Sequence, residues 1–273
     1  MKPKSRPGQR VQLHRAFSKL GIGSRGMAWK LIVEGLVRVN DRVVRDPLAW
    51  VDISIDKITC GGVIQGQAPA VGEGLFGASV LGAGASQSGT VPKPFEKPAT
   101  RVWMVHKPKG LVTTRSDERG RPTVYSLFPD ADSWKFPVGR LDADSEGLLL
   151  FTNDGPLADA LTDPERGVEK RYLVTVAGTP ESAQLVLLGK GVVVEGKRTR
   201  PSQWRLVSSE GRRSMIEVVL HEGKNRQIRK MAESIGHKVQ RLVRVGIGFL
   251  ELGDLAPGAI RELAPEEWKR LLP

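Results

Sequence analysis

Two short stretches of this chain concentrate the residue types that do chemistry. The first runs Pro137-Val138-Gly139-Arg140-Leu141-Asp142-Ala143-Asp144-Ser145-Glu146-Gly147, then an apolar run into Phe151-Thr152-Asn153-Asp154-Gly155. It reads as a loop presenting an arginine and carboxylates, a buried strand, and a tight turn. A carboxylate two residues after an arginine is equally the mark of a turn or an ion pair, so spacing alone leaves both readings open. The second, Glu222-Gly223-Lys224-Asn225-Arg226-Gln227-Ile228-Arg229-Lys230-Met231, is a turn leading into a cationic helix. Its cations suit phosphate contacts as well as an active site.

Several familiar chemistries lack their residues. The four histidines are scattered without metal-ligand spacing, and the one cysteine, Cys60, builds neither a zinc site nor an internal disulfide. No phosphate-binding GxxxxGK[ST] loop and no GxSxG elbow occurs. Gly72 to Gly77 spells GxGxxG, but neither a strand nor a βαβ unit surrounds it, so dinucleotide binding is not expected there. Catalysis, if present, is expected to run on ordinary side chains, with no metal and no cofactor.

The elements that must position these stretches follow from periodicity. Beyond residue 100, strands are expected at 102–106, 111–114, 148–152, 171–177, 192–194, 202–207, 214–220 and 239–246, and helices at 156–162, 181–188, 225–235 and 265–272. Strands outnumber helices, and Gly, Pro and Asp turns separate them. That predicts an α+β domain on a mainly antiparallel sheet over 100–273. Residues 61–99 are rich in Gly, Ala, Ser, Val and Pro without a period and read as a flexible linker. Residues 1–60 read as a small helix, turn, helix, strand module. Val11 to Leu20 fits one helix, Gly21-Ile22-Gly23 breaks it, and Ser24 caps a second ending before Gly35. Strands follow at Leu36–Val39, across the Asn40-Asp41 turn, and at Val51–Asp56.

The string from Gly139 to Gly155 closely resembles the active-site motif of the RsuA-type pseudouridine synthases. Three further stretches resemble that family in its order: Val105-His106-Lys107-Pro108-Lys109-Gly110, then Glu169-Lys170-Arg171-Tyr172-Leu173-Val174, then Gly223 to Arg229. The small module, through Leu20-Gly21-Ile22-Gly23-Ser24-Arg25 and Ile32 to Asn40, looks like the RNA-binding domain first seen in ribosomal protein S-four. Gly26 departs from that pattern, which usually has a second arginine there. The likeness spans nearly the whole chain except 61–99.

The resemblance implies isomerisation of a uridine in RNA: the N-glycosidic bond breaks, the base rotates, and a ring carbon rejoins the ribose. The target base must first be flipped out of its stack. By motif match Asp142 is the catalytic carboxylate and Arg229 its ion-pair partner, keeping it ionised under RNA. Tyr172 is expected to stack on the flipped base and assist proton removal, with Ile228 on the base's other face. Arg140 is expected to contact phosphate or fill the space the base leaves, with Lys224, Arg226 and Lys230 around the entrance. Glu222 and Asp144 read as structural. In the small module the resemblance places Arg15, Lys19, Ser24, Arg25, Lys30, Arg38 and Arg42 on an RNA face. A core aromatic for Tyr172 and a solvated basic face for the module are the plainer alternatives.

Charge agrees with a polyanionic partner. The 273 residues hold 42 Lys and Arg against 30 Asp and Glu, a net of +12. Residues 1–60 alone carry +7, more than half of it in the smallest folded segment. No apolar run is long enough to span a bilayer. With the family resemblance, which implies ribosomal RNA or a pre-ribosomal particle as partner, the expectation is the large subunit over the small, no membrane, a cytoplasmic location and a monomer as the simplest state. The rival expectation is a non-catalytic RNA-binding ribosome-assembly factor on the same fold.

Overall fold

The computed structural model describes residues 10–60, 99–129 and 135–271. The chain divides into two compact units, the first containing residues 10–60 and the second built from 100–129 and 135–273. The expected linker falls, but for Ala99, outside the described residues, as does the basic start of the chain.

In the small unit, β1 (Arg10–Gln12) leads into α1 (Leu13–Lys19) and α2 (Arg25–Val33), followed by β2 (Val37–Val39), β3 (Arg42–Val43), β4 (Trp50–Asp52) and β5 (Ile58–Cys60). Leu13, Ala16 and Phe17 of α1 pack on Ala28 and Ile32 of α2, and all five are fully buried. Ser24 caps α2 as expected, its hydroxyl accepting from the Met27 N–H at 3.0 Å. Asn40 and Asp41 both adopt positive φ, the geometry of a tight hairpin turn between β2 and β3. Two expectations are corrected. The first helix begins at Leu13, because residues 10–12 pair with 50–52 instead. The strand expected over Val51–Asp56 stops at Asp52, whose carboxylate accepts from the Ser54 N–H and hydroxyl and turns the chain; Ile55 is left exposed.

In the large unit the elements are β6 (Val102–Lys107), β7 (Phe136–Val138), β8 (Glu146–Thr152), α3 (Gly155–Thr162), β9 (Lys170–Ala177), α4 (Ser182–Gly189), β10 (Val193–Val194), β11 (Lys197–Arg198), β12 (Gln203–Glu210), β13 (Arg213–Leu220), α5 (Gln227–Ser234), β14 (Val239–Ile247), β15 (Leu250–Glu251), β16 (Ile260–Glu262) and α6 (Pro265–Lys269). Their main sheet runs β12-β13-β9-β14-β8-β6-β16, with β7 added on β8 and β15 on β14. Every pairing in it is antiparallel except the short β14–β8 contact. The unit is thus α+β on a mainly antiparallel sheet, as the turn-separated strands predicted. Residues 111–114 are not a strand: Val112 makes only an isolated bridge to Thr123.

The sheet is covered on both faces. Along β8, Leu149 and Phe151 enter one core and Leu148 and Leu150 the other. That explains the unbroken apolar run, since a strand buried on both sides shows no alternation. Gly147 opens this strand at φ +105°, where a Cβ would lie 2.2 Å from the Arg244 carbonyl oxygen. Only glycine lets β8 approach β14 this closely.

Candidate active site

Asp142 stands on the loop between β7 and β8, and the loop is held from beneath. Leu141 is buried; its carbonyl accepts from the Thr113 hydroxyl at 2.6 Å and its N–H donates back to that oxygen at 3.3 Å. Lys107, at the end of β6, is fully buried and donates Nζ to the carbonyls of Ser145 (2.7 Å), Pro108 (3.1 Å) and Ala143 (3.5 Å). Burial pushes its ammonium down to about 8, against the pull of Asp142, Asp144 and Glu146. The Ser145 N–H donates to the Asp142 carbonyl at 3.0 Å, closing a turn that sets the two aspartates side by side in space.

The arginines arrive on α5. Arg226 precedes the helix in the left-handed region at φ 50°, a conformation that disfavours side chains with a Cβ. Its guanidinium takes Asp144 in a fork at 3.0 Å on both oxygens and reaches Asp142 at 3.6 Å. Arg229, one turn on and mostly buried, bonds the Asp144 carbonyl at 2.9 Å, its carboxylate at 3.3 Å and the Ser145 hydroxyl at 3.3 Å. Its Nε has no partner among the described residues. Burial lowers the Arg229 guanidinium, while Asp144 and Asp142 pull it up. Burial raises the Asp144 carboxyl, yet the Arg226 hydrogen bond and the charges of Arg229 and Arg226 outweigh it, and the group sits below its usual range.

The Asp142 loop and the start of α5 help to line a cavity of about 430 Å³, within the size range of small-ligand sites. Asp142, Arg140, Arg226, Tyr172, Ile228 and Leu242 all line it. A second, more polar hollow lies beyond, bounded by residues 112–121 and sharing Arg140, Asp142 and Arg226 with the first. Among the described residues no group of three His, Cys, Asp or Glu is placed to hold a metal ion.

The sequence profile of an RNA pseudouridylate synthase family matches residues 101–234, the span that supplies most of this cavity. Over 262 residues the chain is 33% identical to the ribosomal large subunit pseudouridine synthase B of Bacillus subtilis, covering 95% of each. The chain belongs to the RNA pseudouridine synthase family. It is also 33% identical to an uncharacterised RNA pseudouridine synthase of Aquifex aeolicus, across 96% of this chain and 93% of that one. A crystal structure of a pseudouridylate synthase shares the fold with a TM-score of 0.63 at 24% identity, over 96% of this chain and all of the other.

Within this family member, the fold brings Asp142, Tyr172, Ile228, Arg140, Lys224 and Arg226 to one cavity. Arg140 is exposed and has no ion-pair partner among the described residues, whereas Lys224 is tied to Glu222 at 3.2 Å and Lys230 to Glu195 at 2.8 Å. The expected Arg229–Asp142 pair does not form. Arg229 binds Asp144, and it is Arg226 that approaches Asp142, because the two carboxylates are adjacent and Arg229 enters from the buried side. Asp144, read as structural, is the counter-ion of both arginines. Buried Glu222 accepts from Gln227 at 2.6 Å and from the Arg200 N–H at 2.9 Å, bracing the turn before α5. In the small unit Arg15, Arg25, Lys30, Arg38 and Arg42 are exposed, and Lys19 and Ser24 half-buried.

Two cavity residues were given no site role from the sequence, Lys170, quoted only as part of the stretch around Tyr172, and Arg244. Lys170 lies two residues before Tyr172 and so shares its side of β9. Arg244 is the cross-strand partner of Tyr172. The first was open to detection from alternation alone; the second needed the register.

Proposed function

We propose that this enzyme isomerises one uridine of ribosomal RNA, in the large subunit, to pseudouridine, with Asp142 as the catalytic carboxylate. The observation that carries the proposal is convergence: Asp142 from the β7–β8 loop, Tyr172 from β9 and Ile228 from α5 face one base-sized cavity. Asp142 keeps a third of its side chain open to solvent, as a group that must meet a substrate requires. In this reading Tyr172 stacks on the flipped base and Ile228 closes its other side. Arg140, exposed and unpaired, is suited to phosphate; Lys224, Arg226 and Lys230 exchange their carboxylate partners for RNA. Arg229 holds the loop through Asp144 and acts on Asp142 by charge rather than by contact.

The small unit, by its likeness to the ribosomal protein S-four type of domain, grips RNA through Arg15, Lys19, Ser24, Arg25 and Arg38. The protein works as a cytoplasmic monomer without a cofactor. No helix among the described residues is long and apolar enough to cross a membrane. A purely binding assembly factor would need neither the exposed Asp142 nor the cavity beside it.

The test incubates the protein with protein-free small- and large-subunit rRNA, and with assembly intermediates, from a strain lacking the gene. Pseudouridine is mapped by carbodiimide stops in primer extension. One new stop in large-subunit rRNA is expected; none on any substrate would favour the assembly factor.

A further inference from the structure

Besides exposed Arg140, two cations that line the cavity have no carboxylate partner among the described residues. Arg244 is only 3% exposed. Its single hydrogen bond runs from Nε to the Leu148 carbonyl at 2.6 Å, and the buried Nη2 has no partner among the described residues. Lys170 donates to the Val168 carbonyl at 2.8 Å and pairs with no carboxylate among the described residues. Burial, together with the neighbouring Arg244 charge, pushes its ammonium down to about 8. A buried guanidinium with a spare N–H donor beside a half-buried ammonium is costly, and an acceptor supplied by a ligand would offset that cost.

The register says which part of a ligand would reach them. Arg244 is directly opposite Tyr172 on β14, so these two positions stand about 5 Å apart, and Lys170 is on the same face of β9 as Tyr172, about 7 Å along the strand. A base stacked on Tyr172 would present its edge to Arg244. The RNA backbone stays at the mouth, where exposed Arg140 stands. The surrounding Leu242 and Ile228 suit a flat base and not a phosphate.

Building on the uridine reading above, we propose that Arg244, with Lys170 beside it, donates to a carbonyl oxygen of the flipped uracil. The role is one of recognition and of charge. When the N1–C1′ bond breaks, its electron pair stays on the base and spreads onto the carbonyl oxygens. A fixed guanidinium there stabilises that charge without reorganisation.

The test is a cycle between protein and RNA. Wild type, Arg244→Gln and Arg244→Lys are each given an rRNA fragment whose mapped target is uridine, 2-thiouridine or 4-thiouridine, and the isomerised nucleoside is quantified after digestion. Sulfur is the poorer acceptor. Arg244→Gln should lower kcat/KM on uridine by about tenfold to a hundredfold, mostly in kcat. One thio substitution should slow wild type about tenfold and cost Arg244→Gln nothing further. Multiplying losses, or a wild type indifferent to both sulfurs, would overturn the proposal. Arg244→Lys, which keeps a charged donor, should retain part of the uridine rate together with a penalty for sulfur, and loss of both would overturn the proposal even should Arg244→Gln not fold. A wild type that leaves unmodified uridine untouched would sink the functional reading itself, a separate result.

Discussion

The two units use positive charge in opposite ways. In the large unit many arginines are tied to carboxylates: Arg226 and Arg229 share Asp144, Arg241 is forked onto Glu146, and Arg171 reaches Glu251. In the small unit Arg15, Arg25, Lys30 and Arg42 stand on the surface, and the described ion pairs include only the exposed Lys57–Asp41 contact at 3.5 Å. Paired cations fix geometry, and the cost of burying them is partly offset by their partners. Unpaired surface cations contribute little to stability but attract a polyanion at a distance. The same residue type therefore builds a site in one region and a landing surface in the other.

Substitutions that exchange these roles should show it. The largest effect on folding is expected from Asp144→Ala, which strands mostly buried Arg229 and frees Arg226. Because Asp144 is partly exposed, a loss of about 1–2 kcal/mol is expected in chemical denaturation, with activity reduced alongside. Next comes the buried Lys107. Its folded value of about 8 lies below that of a free lysine, so between these values the unfolded chain binds more protons and stability rises with pH. Lys107→Met should be less stable at every pH and should lose that part of the rise between about pH 8 and 10. An unchanged slope in urea midpoints would contradict the buried ammonium. The smallest structural effect belongs to the small unit. Arg15→Glu with Arg25→Glu in the full chain should leave the melting temperature in place, weaken rRNA binding, and reduce the salt slope by about 1–2. A falling melting temperature with unchanged binding would place these arginines in the fold instead.

Much of the large unit was legible because its signals are local. The apolar run Leu148–Phe151 marks a doubly buried strand, and the alternation from Lys170 to Ala177 marks β9. The motif around Asp142 was legible because it is long. What failed depended on distant partners. Val11 and Gln12 precede Leu13 without a helix breaker, yet Trp50–Asp52 captures them as a strand. Thr113 sits in a strand-like stretch but spends its hydroxyl on Leu141. The partner of Arg229 could not be told from sequence because Asp142 and Asp144 are two residues apart, and only the path of α5 selects between them. Arg244 was hidden for the same reason, since β14 finds β9 through two register shifts.

The central claim is a division of labour between two neighbouring aspartates, Asp142 for chemistry and Asp144 for architecture. The most direct test assays Asp142→Asn and Asp144→Asn side by side, measuring pseudouridine formation on the mapped rRNA and melting temperature. Asp142→Asn should melt like wild type and form roughly a thousandfold less product or none. Asp144→Asn should melt lower and retain measurable turnover. An active Asp142→Asn beside a silent, stable Asp144→Asn would contradict the account and move the chemistry to the other carboxylate.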